Sequence, residues 1–193
     1  MKEVLYLQQS GQAENNFTPL QIARYIGILV NGGKDIDVTI IRDIVNADGD
    51  KVSRNEINDY LTQKLGLTKI AKDKIELKKE NIEAILEGMR SVTTETGGTA
   101  YSIFKDFNVE IGGKTGSAEA GVDPVTKKDL VNAWFVGFAP YDNPEIAIVV
   151  SVENGGHGYY TAEIAKEILG EYFGLNKEIQ ENREAIPYTE MEN

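Results

Sequence analysis

The stretch Glu110-Ile-Gly-Gly-Lys-Thr-Gly-Ser-Ala-Glu119 carries two overlapping chemical signatures. Gly113-Lys114-Thr115 is the heart of a loop that cradles phosphates, while Lys114-Thr115-Gly116 is a triplet used in serine acyl transfer. A phosphate loop needs a glycine five positions before Gly113 and a helix opening after the threonine. Asn108 stands at the glycine position, and Gly-Ser-Ala-Glu-Ala-Gly-Val-Asp-Pro after Thr115 has no helical period. The phosphate reading fails on both counts.

Other candidates are weaker. Asn46, Asp48 and Asp50 have the spacing of calcium ligands, but position 6 of such a loop would be Lys51 and position 12 Ile57, where glycine and glutamate are needed. Asp48-Gly49 reads instead as a type I′ hairpin turn. His157 is the sole histidine, and no Gly-x-Ser-x-Gly elbow exists to supply it with a nucleophile. It reads as a loop residue among glycines that make a tight strand-to-helix connection. Acyl transfer also needs Ser-x-x-Lys and Ser-x-Asn, and Ser102-Ile-Phe-Lys105 and Ser53-Arg-Asn55 fit those patterns. Their order is wrong, because the nucleophile belongs far upstream of Lys-Thr-Gly. Ser102 lies in a short connection into the strand that carries Lys114, and Ser53 is better used as a helix N-cap.

The elements that must position Lys114 are legible from periodicity. Thr18, Pro19 and Gln21 form a helix start with capping-box spacing; Ile22, Ile26, Leu29 and Val30 give the helix an apolar face, and Gly32-Gly33 ends it. Residues 38–53 suggest two strands about the Asp48-Gly49 turn, and Ser53 and Glu56 open a short helix that stops at Gly66. Ile82, Ile85, Leu86, Met89 and Val92 predict an amphipathic helix over 79–94. Three strands follow, at about 108–119, 131–140 and 145–153, then a helix over 161–173 with Ala165, Ile168, Leu169, Tyr172 and Phe173 on one face.

The 193 residues hold 41% hydrophobic and 26% charged side chains, an ordinary globular balance. A net charge of −11 argues against a nucleic-acid partner, which requires a basic stripe. Without cysteine there is neither a disulfide nor a thiolate metal site. No apolar run approaches the ~18 residues of a membrane span, and Met1–Gln12 lacks the apolar length and cleavage site of a signal peptide. An export or anchoring segment, if the natural protein has one, is expected outside this chain.

The surroundings of Lys114 add a resemblance. Gly11 to Gly33, then Gly-Met-Arg-Ser-Val-Thr-Thr-Glu-Thr-Gly-Gly-Thr-Ala-Tyr (88–101), Val-Glu-Ile-Gly-Gly-Lys-Thr-Gly-Ser-Ala-Glu (109–119) and 133–156 occur in the order found in class B penicillin-binding proteins. The chain resembles the C-terminal part of their transpeptidase domain, most of all the elongation type, over about residues 8–174. Ala13 departs from the usual glycine, and the upstream portion with the nucleophilic serine, its lysine base and the Ser-x-Asn loop has no counterpart. The resemblance implies an α/β fold, an antiparallel sheet with packed helices that is part of a penicillin-binding transpeptidase or serine β-lactamase-like fold. Residues 1–174 would form the domain portion and 175–193 a polar tail.

The implied chemistry is peptidoglycan cross-linking, in which a serine attacks a D-Ala-D-Ala stem peptide and β-lactams mimic that donor. Lys114, Thr115, Gly116 and Ser117 would then bind substrate. Lys114 would hold a carboxylate, Gly116 would allow close approach, and the Ser117 backbone N–H would be one of two oxyanion donors. The nucleophile is absent from the chain, so the isolated chain is expected to be inactive. The alternative is a non-catalytic binding or scaffolding module derived from the family. No metal or cofactor is implied, and the location would be extracytoplasmic with a membrane anchor outside this chain. The strand holding the consecutive apolar residues Ile146 to Val150 loses its family neighbour here, which predicts homo-oligomerisation through the edge 146–152 unless residues 1–9 fold back to cover it.

Overall fold

A computed structural model describes residues 17–36, 38, 40, 43–65 and 74–175. The N-terminal segment 1–9, the proposed helix stop at Gly66 and the tail beyond 175 lie outside the described residues. The described elements are α1 (Pro19–Val30), α2 (Arg54–Leu65), α3 (Lys79–Thr94), α4 (Tyr101–Phe104), β1 (Gly112–Val122), β2 (Asp129–Ala139), β3 (Ile146–Val152) and α5 (Gly158–Tyr172).

The helix starts follow their capping chemistry. Thr18 Oγ1 accepts from Gln21 N at 3.3 Å while Thr18 N donates to Gln21 Oε1 at 2.9 Å, which satisfies two N–H groups at the start of α1. At its other end Gly32 has φ 75° and Gly33 N reaches back to Ile28 O at 2.9 Å. Ser53 and Glu56 cap α2 in the same reciprocal way, at 2.9 and 3.3 Å. Hydrogen bonding from the Ser53 side chain, and after it from the Ser53 backbone N–H, holds the Glu56 carboxyl below its usual pKa.

The turn at Asp48-Gly49 corrects the type I′ expectation. Only Gly49 has positive φ there, at 89°, whereas a type I′ turn needs it at both central residues. Gly49 N donates to Asn46 O at 3.1 Å and Asn46 N to Asp50 O at 2.9 Å, which makes a three-residue loop with Gly49 as its left-handed residue. Asn46 Oδ1 accepts from Asp48 N and Asp50 N, so the residue read as a possible calcium ligand organises the loop. Among the described residues the flanking pairing is the single bridge Val45–Lys51.

The three expected strands form one antiparallel sheet in the order β1-β2-β3. β1 begins four residues later than expected. Tyr141 N takes Glu110 O at 2.9 Å and the buried Thr93 hydroxyl donates to Ile111 O, so these carbonyls are bound before the ladder starts. β1 also runs on to Val122 and pairs with Asp129, with a register shift between Glu119 and Gly121.

Each sheet face has its own core. Phe138, opposite Gly112, packs with Ile26 and Leu29 of α1 and Met89 of α3, joined by Ile82 and Leu86. On the reverse face Phe135 and Val150 pack with Ile103 and Phe104 of α4 and with Ala162, Ala165 and Leu169 of α5. Gly112 and Gly113 leave room for the Phe138 and Phe135 rings, which occupy the space a Cβ at either position would need. Fully buried Phe rings are among the largest contributors to the apolar free energy of such a core.

The apolar faces of two helices need correction. Ile85 of α3 is 44% exposed, and Ile168 and Tyr172 of α5 are 46% and 53% exposed. The buried face of α5 is instead built from Gly158, Thr161, Ala162, Ala165, Leu169 and Gly170. Small residues let the helix axis lie close to the sheet, which turns the larger Ile168 and Tyr172 outward.

Candidate functional site

Among the described residues β1 pairs with β2 alone, which puts Lys114, Thr115, Gly116 and Ser117 at the outer margin of the sheet. Lys114 lies opposite Val136 and Gly116 opposite Trp134, which puts both on the α1 face; Thr115, opposite Phe135, and Ser117, opposite Ala133, share the other. The strand changes character at this point. Gly112 and Gly113 are buried, whereas Lys114 and Ser117 are exposed and the strand stays largely exposed beyond them.

The lead-in to β1 is clamped by charge. Arg90 of α3 donates through Nε and Nη2 to the Glu110 carboxylate at 2.7 and 3.3 Å, and its guanidinium lies 5.2 Å from the Tyr141 ring centre. The hydrogen bond to Glu110 raises the Arg90 pKa, and burial pushes the Tyr141 phenol up. Further along, each site side chain has a local partner. Lys114 Nζ donates to Thr115 O at 2.5 Å, and the Thr115 and Thr99 hydroxyls are 2.7 Å apart. Ser117 Oγ accepts from Gly158 N, the first residue of α5, at 3.3 Å.

Gly158 is the reason α5 can start there. A Cβ on it would lie 2.5 Å from Gly116 O, 2.6 Å from Trp134 O and 2.8 Å from Gly116 N. The helix therefore begins directly on the peptide that joins Gly116 to its neighbours. Its preceding loop is tight as expected: Gly156 has φ 73° and donates to Val131 O at 3.0 Å. His157 is the exposed N-cap residue of α5 and makes no side-chain cap bond.

The set-aside candidates are dispersed. Ser53 caps α2, and Asn55 follows in that helix. Ser102 is exposed on α4 and lines an open hollow of about 470 Å³ with Ile103, Tyr159, Glu163, Ile164 and Lys166; Lys105 sits 3.8 Å from Asp106. The described residues hold no cluster of three or more His, Cys, Asp or Glu side chains that could ligate a metal, and no helix long and apolar enough to cross a membrane. Thr93, Thr99 and Gly158 escaped the sequence reading as parts of the site region. The signal was present in Thr93-Thr94-Glu95-Thr96-Gly97-Gly98-Thr99, where hydroxyls are dense just before the strand.

A sheet edge carrying a lysine, two hydroxyls and a glycine can take up an extended peptide as an added strand and hold its carboxylate. Comparison with known proteins agrees with that class. The penicillin binding protein transpeptidase domain matches residues 5–173, and the chain belongs to this family. It is 29% identical over 170 residues to penicillin-binding protein 2A of Bacillus subtilis, covering 83% of this chain and 22% of that protein. It is 31% identical over 176 residues to the peptidoglycan D,D-transpeptidase MrdA of Haemophilus influenzae, covering 84% of this chain and 24% of that one. The chain thus spans about a quarter of the length of the curated relatives it matches. Among solved structures it is similar to Pseudomonas aeruginosa PBP2 in complex with WCK 5153, with TM-score 0.64 and 26% identity over 89% of this chain and 33% of that one. Penicillin-binding protein 2B of Streptococcus pneumoniae shares the fold at TM-score 0.64 and 23% identity, over 91% of this chain and 28% of that one. The expected partial transpeptidase fold is therefore what the chain has.

Proposed function

We propose that this chain forms the Lys-Thr-Gly wall of the acyl-transfer cleft in a peptidoglycan D,D-transpeptidase, with the nucleophilic serine and its lysine base supplied from outside residues 1–193. The observation that supports the reading is the placement of Lys114, Thr115, Gly116 and Ser117 on an edge of β1 that is open among the described residues, in a chain whose residues 5–173 match the transpeptidase family. In this reading a D-Ala-D-Ala stem peptide lies along β1 as an added strand. The Lys114 ammonium holds its terminal carboxylate by a charge-assisted hydrogen bond. Gly116 keeps the approach clear, and the Ser117 backbone N–H donates to the oxyanion that forms when serine attacks the peptide carbonyl. One such donor is worth about 2.7–4 kcal/mol of barrier, but it cannot replace the nucleophile. β-Lactams bind the same wall as mimics of the donor.

Residues 1–174 are read as the domain portion and the rest as a polar tail. The protein that contains them would work outside the cytoplasm, anchored to the membrane by a segment elsewhere. A second copy of the chain is the proposed partner of the outer edge of β3, along Ile146–Val152.

The test is covalent labelling. Incubated alone with a fluorescent penicillin and resolved by denaturing electrophoresis, the chain should carry no label. In the complete transpeptidase, Lys114→Ala should slow acylation by about tenfold or more at unchanged thermal stability. Stable labelling of the isolated chain at Ser102 would overturn the assignment of the nucleophile, and wild-type acylation of Lys114→Ala would remove Lys114 from the site.

A further inference from the structure

Gly112 and Gly113 stand directly before Lys114, and the rings of Phe138 and Phe135 fill the space their side chains would need. The core therefore demands two consecutive glycines at the entrance to β1. Glycine leaves the backbone more freedom than any other residue, so this entrance has to be held from both ends. Downstream, the ladder with β2 starts at the Gly112–Phe138 pair. Upstream, Arg90 of α3 grips Glu110 through Nε at 2.7 Å and Nη2 at 3.3 Å. The same guanidinium lies 5.2 Å from the centre of the Tyr141 ring, and that ring stacks on Phe138 with centroids 5.9 Å apart. Arg90 thus reaches Gly112 by two routes, along the chain from Glu110 and through the two rings packed against it. Its own place is fixed, because the neighbouring Met89 is buried with Ile26, Leu29 and Phe138.

Stability does not account for this clamp. The Arg90 and Glu110 side chains are 41% and 40% exposed, and ion pairs so open to water add little to folding. We propose that Arg90 is a positioning residue for acyl transfer: through Glu110 it fixes the entry of β1, so that the Ser117 N–H is aligned with the reacting carbonyl. The inference rests on reading β1 as a wall of the acyl-transfer cleft. Ser117 lies seven residues beyond Glu110 on the same extended segment, so a shift at the entrance is carried along the strand. A displacement of about 1 Å at a reacting group costs on the order of 10²-fold in rate. A small slip at Glu110 is therefore felt in the chemistry long before it is felt in the fold.

The test measures acylation of the complete transpeptidase by benzylpenicillin, with the apparent binding constant and the limiting rate separated. Arg90→Met keeps the stem of the side chain and removes its charge. The limiting rate should fall about tenfold, the apparent binding constant should stay within about twofold, and the thermal midpoint should move by no more than about 2 °C. Arg90 Nη1 also lies 3.9 Å from the Glu87 carboxylate, so the pair is broken from its other end as well. Glu110→Gln should slow the reaction in the same way, and the double variant should be no slower than Arg90→Met, since both singles break one contact. Arg90→Lys, which keeps the charge but not the planar fork, should fall between wild type and Arg90→Met. A wild-type rate in either single variant, when Lys114→Ala is slow, overturns the proposal and leaves the wall assignment standing. Losses that multiply in the double variant, or that follow a fall in the thermal midpoint, also overturn it. If Lys114→Ala acylates at the wild-type rate, the wall assignment itself falls, and this inference with it.

Discussion

β1 lines one margin of the sheet with Lys114, Gly116, Ser117 and Glu119, whereas β3 at the other margin runs Ile146-Ala-Ile-Val-Val-Ser-Val152. Both are edge strands among the described residues, yet they treat unpaired backbone differently. β1 carries an exposed lysine, a register shift between Glu119 and Gly121, and a threonine turn at its flank. Those devices discourage flat pairing with an arbitrary strand. β3 has no lysine, proline or bulge, and its two faces are already covered by α1 and α5, so only its edge is open. In the proposed reading, ligand binding and self-association therefore fall on opposite sides of the same three strands.

The largest expected effect breaks the β1 side. Gly158→Ala places a methyl group against Gly116 O, Trp134 O and Gly116 N, all backbone atoms that cannot rotate away. Overpacking of this kind should cost about 3 kcal/mol of stability, read as a lower urea midpoint at unchanged slope. Amide exchange should accelerate first at Gly116 and Ser117, where α5 is seated, and later at Phe135 and Val150 in the core. A variant as stable as the wild type would show that α5 does not rest on this peptide.

The next prediction addresses the β3 side. Light scattering over a concentration series should report a mass above the 21.3 kDa of one chain, rising with concentration. Val149→Lys, half-buried in the middle of the strand, should return the mass to that of a monomer while unfolding stays cooperative, with the thermal midpoint lowered because the lysine must leave the face that α1 covers. A monomer at every concentration, with no response to Val149→Lys, would take the association away from this edge.

Most of the architecture could be read from the chain because local chemistry and tertiary packing agree there. Thr18 with Gln21, Ser53 with Glu56 and the 3.6-residue period of 79–94 each state their element unaided. What could not be read depended on partners distant in sequence. The start of β1 was misplaced because Glu110 and Ile111 use their carbonyls on Tyr141 and Thr93. The type I′ turn was wrong because the Asn46 side chain, not the Asp48-Gly49 pair alone, dictates the loop. The α5 face was misassigned because large residues were expected inward, whereas close contact at Gly158 demands small ones. At the site, Lys114 to Ser117 were legible as a motif, while Thr99 and Gly158 are significant only through contacts 16 and 41 residues away.

The smallest expected effect sharpens the comparison through pH. Asp123 closes the β1–β2 hairpin: Oδ1 accepts from Val125 N at 2.8 Å and from Thr126 N at 2.6 Å, and its backbone N donates to Lys128 O at 2.9 Å. The two backbone bonds, that from Thr126 the stronger, hold its carboxyl below the usual aspartate pKa. A depressed folded pKa means a contribution present above the unfolded value and lost as pH falls through the folded one. The amide signals of Val125 and Thr126 should therefore titrate with a midpoint below the ordinary aspartate range, and the hairpin tip should loosen in acid. Asp123→Asn keeps an acceptor without the charge, so it should abolish that titration and leave the hairpin closed. Between Ile146 and Val152 there is no ionisable side chain, so their amides should not follow the same curve. Titration of Val125 and Thr126 at the ordinary aspartate value would show that the carboxylate does not hold the turn. A parallel transition along β3 would show that acid acts on the whole sheet rather than on the β1 margin.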